Sequence, residues 1–343
     1  MTTEIIIDGS EGEGGGQVLR TTLSLSAITG KPVRIQNVRG QRRKPGLLRQ
    51  HLTAFRAAAE ITGATMEGAE LGSSEIAFHP GSIRGGEYEF SIGSAGSTTL
   101  VAQTLLPILS HAVGPSTVTI TGGTHNAWAP TFDFLDQAFL PQYRSMGGRA
   151  SAQIESYGFH PAGGGKLRLN VKPTATPEPL ALTTRGTRLD TRVVALVSNL
   201  KRNIAEREVK TLLRGLNLAP EAGDVAHVDS PGPGNSISLF LEFEHVTEVL
   251  IGLGAHGVRA ESVAKSVAAD AKAYLTAEAA PATGEHLADQ LLLPMALGAG
   301  GVFTTTDLTQ HTRTNIDIIQ RFLDVQVELT RIGRKTWRVE VRV

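Results

Sequence analysis

The chain has 343 residues with 33 basic and 33 acidic side chains, no cysteine and a hydrophobic share of 41%. Zero net charge argues against a protein that coats long nucleic-acid tracts, whose affinity comes from neutralised phosphates, and leaves room only for a short contact such as an end. Without cysteine there are no disulfides, thiolate metal sites or cysteine nucleophiles, which fits a reducing cytoplasm, and no apolar run reaches the ~18 residues of a membrane span.

Residues 4–8 read as a strand, and nothing resembling a secretion signal precedes them. A glycine-rich loop follows (Gly12-Glu13-Gly14-Gly15-Gly16-Gln17), then a helix over 18–29 and a strand at 33–35. Between residues 31 and 59 lie eight cations and no acid: Lys31, Arg34, Arg39, Arg42, Arg43, Lys44, Arg49 and Arg56. Such a patch beside a flexible glycine loop suits a polyphosphate or a nucleic-acid end. The plainer reading is a solvated basic face of the next helix, 46–62.

A second pass repeats the first: strand 88–92, small-residue loop 93–98, helix 99–111, strand 118–120, a further small-residue loop 121–126, helix 129–146 and strands 150–154 and 166–171. A third pass runs through helix 284–297, strand 302–304, helix 315–323 and strands 325–330 and 336–343, with no clear opening strand. Between the second and third lies a stretch with its own strands (191–198, 236–244, 249–254) and helices (205–215, 262–276), flanked by Pro- and Ala-rich linkers. The fold class is therefore α/β (α+β). Three repeated βαβαββ units form a core over 1–181 and 279–343, and 182–278 forms an inserted α/β domain.

The loop at 12–17 is not a phosphate P-loop, and Gln17 stands where a dinucleotide fingerprint needs its third glycine. A strand–glycine loop–helix still offers backbone N–H groups to an anion, although a packing turn explains the glycines equally well. Glu13 repels phosphate unless it holds a divalent ion that bridges to one. None of the ten histidines has metal-ligand spacing, and His79, His227, His245 and His256 read as ordinary strand or turn residues. His311 stands apart, on a polar loop leading into a helix, where an imidazole is available as a nucleophile toward phosphorus.

The blocks Glu11-Gly-Glu-Gly-Gly-Gly-Gln17-x-x-Arg20, Arg39…Arg42-x-Lys44-Pro-Gly-Leu-Leu-Arg-Gln50-His51, Gly93-Ser-Ala-Gly-Ser97, Gly122-Gly-Thr-x-Asn126-x-x-x-Pro130, Phe159-x-Pro-x-Gly-Gly-Gly165 and Leu287-Ala-Asp-Gln290 occur in this order. Together they resemble the RNA 3′-terminal phosphate cyclase family nearly end to end. The resemblance implies three units, each like the C-terminal domain of translation initiation factor three, plus a small insert. It implies ATP and a divalent metal (Mg²⁺ or Mn²⁺) as cofactors and an RNA 3′-phosphate end as partner, with no membrane. His311 would be the adenylated nucleophile, assisted by Glu13, Arg20 and Asp289, with Glu13 on the metal. Arg39, Arg42 and Gln50 would contact phosphates. Gln103 and the run His286, Leu287, Ala288, Asp289, Gln290 would bind AMP. The family often has tyrosine where this chain has His286, which leaves nucleotide preference open. Two alternatives stand beside this reading: a non-catalytic cyclase-like ribosome-assembly factor, which lacks the nucleophilic histidine, and an enolpyruvyl-transferase-like enzyme.

Overall fold

The computed structural model describes residues 3–174 and 176–343, so residues 1, 2 and 175 of the expected core lie outside the described residues. The chain begins β1 (Ile5–Asp8), α1 (Gly16–Thr29), β2 (Val33–Gln36), α2 (Arg49–Thr62), β3 (Thr65–Glu67) and β4 (Ile76–His79). β1 runs parallel to β2 while β2–β4 and β4–β3 are antiparallel, giving the order β1-β2-β4-β3. The next elements are β5 (Glu87–Ser91), α3 (Thr98–Leu109) and β6 (Ser116–Gly122). A helical stretch follows as α4 (Phe132–Phe134), a π-helical turn (Leu135–Phe139) and α5 (Leu140–Ser145), then β7 (Arg149–Ser156) and β8 (Gly165–Lys172). Their sheet has the matching order β5-β6-β8-β7.

β9 (Leu180–Leu182) precedes a separate sheet made by β10 (Arg188–Ser198), β11 (Gly223–His227), β12 (Gly234–Phe243) and β13 (Thr247–Leu253). That sheet has a different order, β11-β10-β12-β13, and carries α6 (Asn203–Leu216) and α7 (Ala260–Leu275). The chain closes with α8 (Glu285–Leu297), β14 (Gly301–Thr305), α9 (Gln310–Phe322), β15 (Gln326–Gly333) and β16 (Thr336–Arg342). β9 then pairs parallel with β14, with Leu180 opposite Gly301 and Leu182 opposite Phe303, in the order β15-β16-β14-β9.

Three differences from the expected elements have physical causes. β9 stands in the opening-strand position where the sequence showed none, because three residues are too few for a periodic signal and the partner lies far along the chain. The expected boundary between residues 181 and 182 accordingly cuts through β9. β3 and β4 were not expected, since β3 is three exposed residues and β4 is a buried run without alternation. His311 lies inside a helix rather than on a loop. α9 starts at Gln310, and the Thr309 hydroxyl caps it by accepting from the Thr312 N–H at 3.1 Å.

The helices gather around α1, which packs against α2, α3 and α9. Its residues from Gln17 to Ala27 are buried on nearly every face, Arg20 being half-buried, as expected for a helix enclosed by others. Gly30, at φ 68°, ends it in the left-handed conformation that costs glycine nothing. The sheets cover this helical layer on one face each, so β6 alternates buried and half-buried along Ser116–Gly122. Among the described residues, no helix is long and apolar enough to cross a membrane.

Candidate active site

Residues from three helices and one loop meet at the N-terminal ends of α1, α8 and α9. Gln17 opens α1, and its amide N–H₂ donates to Asp289 Oδ1 of α8 at 2.5 Å. The Gln17 carbonyl oxygen lies 2.6 Å from Nδ1 of His311 on α9. Because the amide nitrogen is committed to a carboxylate, its oxygen must accept, and Nδ1 must donate. The tautomer so selected leaves the Nε2 lone pair of the half-exposed imidazole free.

The surroundings hold this relay in place. Asn315 donates to the Asp289 backbone oxygen at 2.9 Å and accepts from the Thr21 hydroxyl at 2.8 Å. The Glu13 backbone N–H donates to the Thr314 hydroxyl at 2.9 Å, and a Glu13 carboxylate oxygen lies 3.9 Å from His311 Nδ1. Glu13 is nearly buried and forms an ion pair with Arg42. Gly15 fits beneath that pair, since a Cβ there would collide with both side chains. Burial pushes the Asp289 carboxyl above its usual range, opposed by the Gln17 hydrogen bond and by His311, Arg20 and His286. Burial likewise lowers the Arg20 guanidinium, with Asp289 and Glu13 opposing. His51 is pushed down to about 3, by burial first and then by Arg39, Arg20 and Arg42. It is therefore neutral, and its Nδ1 accepts from the Leu48 N–H at 3.3 Å.

A cavity of about 280 Å³ runs from this cluster between α1, α3 and α8. Gln17, Arg20 and Asp289 line one end, and Gln103 and Gln290 line its middle. Gln103 Nε2 and Gln290 Oε1 are buried without hydrogen-bond partners. Unmet buried polar groups cost ~1–3 kcal/mol each, and here a donor and an acceptor without partners belong to two residues that line one cavity.

The other expected residues divide. His286 projects into solvent, whereas Leu287 and Ala288 are fully buried in the core and offer no side chain to a ligand. Gln50 accepts from the Ser97 N–H at 2.9 Å and so joins α2 to the 93–97 loop. Arg39, at φ 55°, donates to the carbonyls of Lys44 and Gly46, both at 2.8 Å, and braces its own loop.

The basic run is not one patch. Arg34 is surrounded by Glu4, Glu67 and Glu75, Lys31 donates to the Phe322 carbonyl, and Arg56 donates to that of Ala69. Arg43, Lys44 and Arg49 make no ion pair among the described residues. Strand and loop geometry sends neighbouring cations to different faces.

Sequence reasoning passed over Gln17, Thr21, Thr314 and Asn315 as site residues. Their signal was polar side chains at helical spacing on buried helices: 17, 20, 21 on α1 and 311, 314, 315 on α9. Among the described residues no three His, Asp or Glu side chains form a metal cage. Glu13 is a lone carboxylate already facing a cation. It suits a magnesium-type ion held mainly by nucleotide phosphates with one protein carboxylate.

Comparison with known proteins gives a consistent outcome. The pattern of the family described as RNA 3′-terminal phosphate cyclase matches residues 11–329. An RNA 3′-terminal phosphate cyclase of Pseudomonas fluorescens is 51% identical over 328 residues, covering 95% of each chain. That of Koribacter versatilis is 49% identical, covering 95% of this chain and 92% of its own. That of Salmonella typhimurium is 48% identical, covering 95% of each. Among solved structures, the enolpyruvyl transferase NikO from Streptomyces tendae aligns with 99% of this chain and 48% of its own, at 12% identity and a TM-score of 0.36, too slight a likeness to carry an argument.

Proposed function

Since the chain belongs to the RNA 3′-terminal phosphate cyclase family, we propose that it converts an RNA 3′-terminal phosphate to a 2′,3′-cyclic phosphate using ATP. The observation that carries this reading is the Asp289–Gln17–His311 relay, two of whose members line a cavity that Gln103 and Gln290 also line. Such a relay has the parts of an activated nucleophile: a reacting atom, a group that sets its tautomer and a buried acid behind it.

In the first step His311 Nε2 attacks the α-phosphorus of ATP; a P–N bond forms and pyrophosphate leaves. An oxygen of the RNA 3′-phosphate then attacks the same phosphorus, and the imidazole departs, giving an RNA-adenylate. The neighbouring 2′-hydroxyl finally attacks the terminal RNA phosphorus, closing the ring as AMP leaves. Imidazole suits both roles because it is a competent nucleophile and a competent leaving group. Ring closure is intramolecular, and well-oriented cases reach effective molarities of roughly 10⁵ M or more.

Arg20 and Arg42 would stabilise charge on the transferring phosphoryl group, and Gln103 and Gln290 would meet the polar edges of the adenosine. A divalent ion, when bound beside Glu13, would neutralise phosphate charge. We also infer that the three sheets ordered alike are repeats of one unit, and that the fourth belongs to an inserted domain spanning about 182–278. Cytoplasmic residence follows from the same reading and from the lack of cysteine.

The test is incubation with α-phosphate-labelled ATP and a divalent ion, followed by denaturing electrophoresis. Wild type is expected to retain label in an acid-labile, base-stable bond, and His311→Ala to retain none. A folded wild type that takes no label would overturn the enzymatic reading and favour the non-catalytic one.

A further inference from the structure

Trp128 is fully exposed, and it is the only aromatic among the large exposed hydrophobic side chains of the described residues. Its backbone sits at φ 63°, a region that bulky residues avoid and that persists only where flanking structure enforces it. That structure is present on both sides. The Thr124 N–H donates to the Gly158 carbonyl at 2.8 Å, and the Thr99 hydroxyl donates to the Pro130 carbonyl at 2.6 Å. The Asn126 amide donates to the Ala95 carbonyl. Residues 124 and 125 are buried. A rigid loop therefore holds one indole out in water, the opposite of what collapse onto apolar surface would produce.

The loop is anchored to elements that also carry site residues. Thr99, which grips Pro130, lies one helical turn before Gln103 on α3. Ala95, which receives Asn126, belongs to the same small-residue loop as Ser97, whose N–H reaches Gln50. Gln50 adjoins Arg49, one of the cations without an ion pair among the described residues.

We propose that Trp128 is a stacking platform for a base near the 3′ end of the RNA substrate. This rests on the cyclase reading given above. A single-stranded end presents unstacked bases, and proteins meet these with exposed aromatic faces irrespective of base identity. The base of ATP is the less suitable occupant, because the cavity assigned to the adenosine is lined by Gln103 and Gln290 and Trp128 is not among its lining residues. A single exposed apolar side chain ordinarily needs no explanation. Here the positive φ of an exposed indole and the hydrogen bonds that anchor its loop to Ala95 and Thr99 supply one.

The chain has two tryptophans, Trp128 and Trp337, so indole fluorescence reads the proposal directly. Titration with a 3′-phosphorylated oligoribonucleotide is expected to quench wild type and to leave Trp128→Phe unquenched. Trp128→Ala is expected to raise the KM for RNA roughly tenfold, the scale of one lost base stack, with Trp128→Phe close to wild type. Adduct formation from labelled ATP alone, measured on the same proteins, reports the nucleotide half of the site separately. An unchanged KM for RNA in Trp128→Ala, an unquenched wild type, or a defect confined to the ATP-only step would each overturn the platform. Loss of label in wild type itself would instead overturn the cyclase reading.

Discussion

Gln17 joins two groups, the buried carboxyl of Asp289 and the half-exposed imidazole of His311, that do not touch each other by any other hydrogen bond. An apolar replacement, Gln17→Leu, removes the connection together with the hydrogen bond to the buried Asp289 carboxyl. Groups that orient a reactive histidine typically contribute about 10–100-fold. Gln17→Leu should therefore slow labelling by ATP by about that factor while the protein stays folded, and initial rates of adduct formation measure it. Labelling at the wild-type rate would remove Gln17 from the mechanism. His311 drew attention in the sequence because a histidine on a polar segment is chemically conspicuous. Gln17 did not, since an amide in a glycine-rich block looks like a departure from another motif. Arg39 shows the converse: a cation in a basic run reads as a phosphate ligand, yet its guanidinium braces two carbonyls that only the folded loop brings together.

The elements carrying these residues depend on their first turns. Thr309 caps α9 two residues before His311, and Thr309→Ala should cost about 1 kcal/mol of stability and a larger share of adduct formation. Denaturant midpoints alongside labelling rates test this; equal losses in a variant capped by serine would contradict it. α8 is held differently. Its N-cap residue, Gly284, donates its N–H to the carboxylate of Glu248 on β13 at 2.9 Å. Burial pushes that carboxyl up to about 7, opposed by the Gly284 hydrogen bond and reinforced by Glu285. With the folded value above the unfolded one, the folded state binds the extra proton. The stability this confers is complete below about pH 4.5 and is lost as pH rises through about 7. Glu248→Gln keeps an acceptor and removes the titration. Its melting temperature relative to wild type should climb from pH 5 to pH 7 and level off above. A difference that stays flat across that range would show that Glu248 does not titrate there. Long amphipathic helices such as α2 were legible from spacing alone. β3, β4 and β9 were not, because three or four residues gain their identity from the partner strand.

At the scale of the whole molecule charge is balanced, so RNA binding rests on the local cations of the basic run that, among the described residues, have neither an ion pair nor a side-chain hydrogen bond to a carbonyl. Arg43, Lys44 and Arg49 could neutralise about three phosphates, which for a single strand gives a slope near −2 in log affinity against log salt. Binding of a 3′-phosphorylated oligonucleotide across a salt series measures it. A slope steeper than about −5 would mean an extended track rather than an end. Three of the sheets share one strand order, and a recurring succession of strand, loop and helix was visible in the sequence. Their convergence on a single site was not readable, because it depends on how α1, α8 and α9 cross.

The pairing of β9 with β14 has a bearing on how the protein is made. The first two sheets each close from one uninterrupted stretch of polypeptide, residues 5–79 and 87–172. The third joins strands roughly 120 residues apart, a loop whose closure entropy is offset only when its far strand exists. During synthesis the nascent chain can complete three sheets, that of β10–β13 included, while β9 waits, unpaired, for the ribosome to deliver β14 and then His311. His311 is thus among the last residues to reach its place, and a chain released early would carry a folded front half without it.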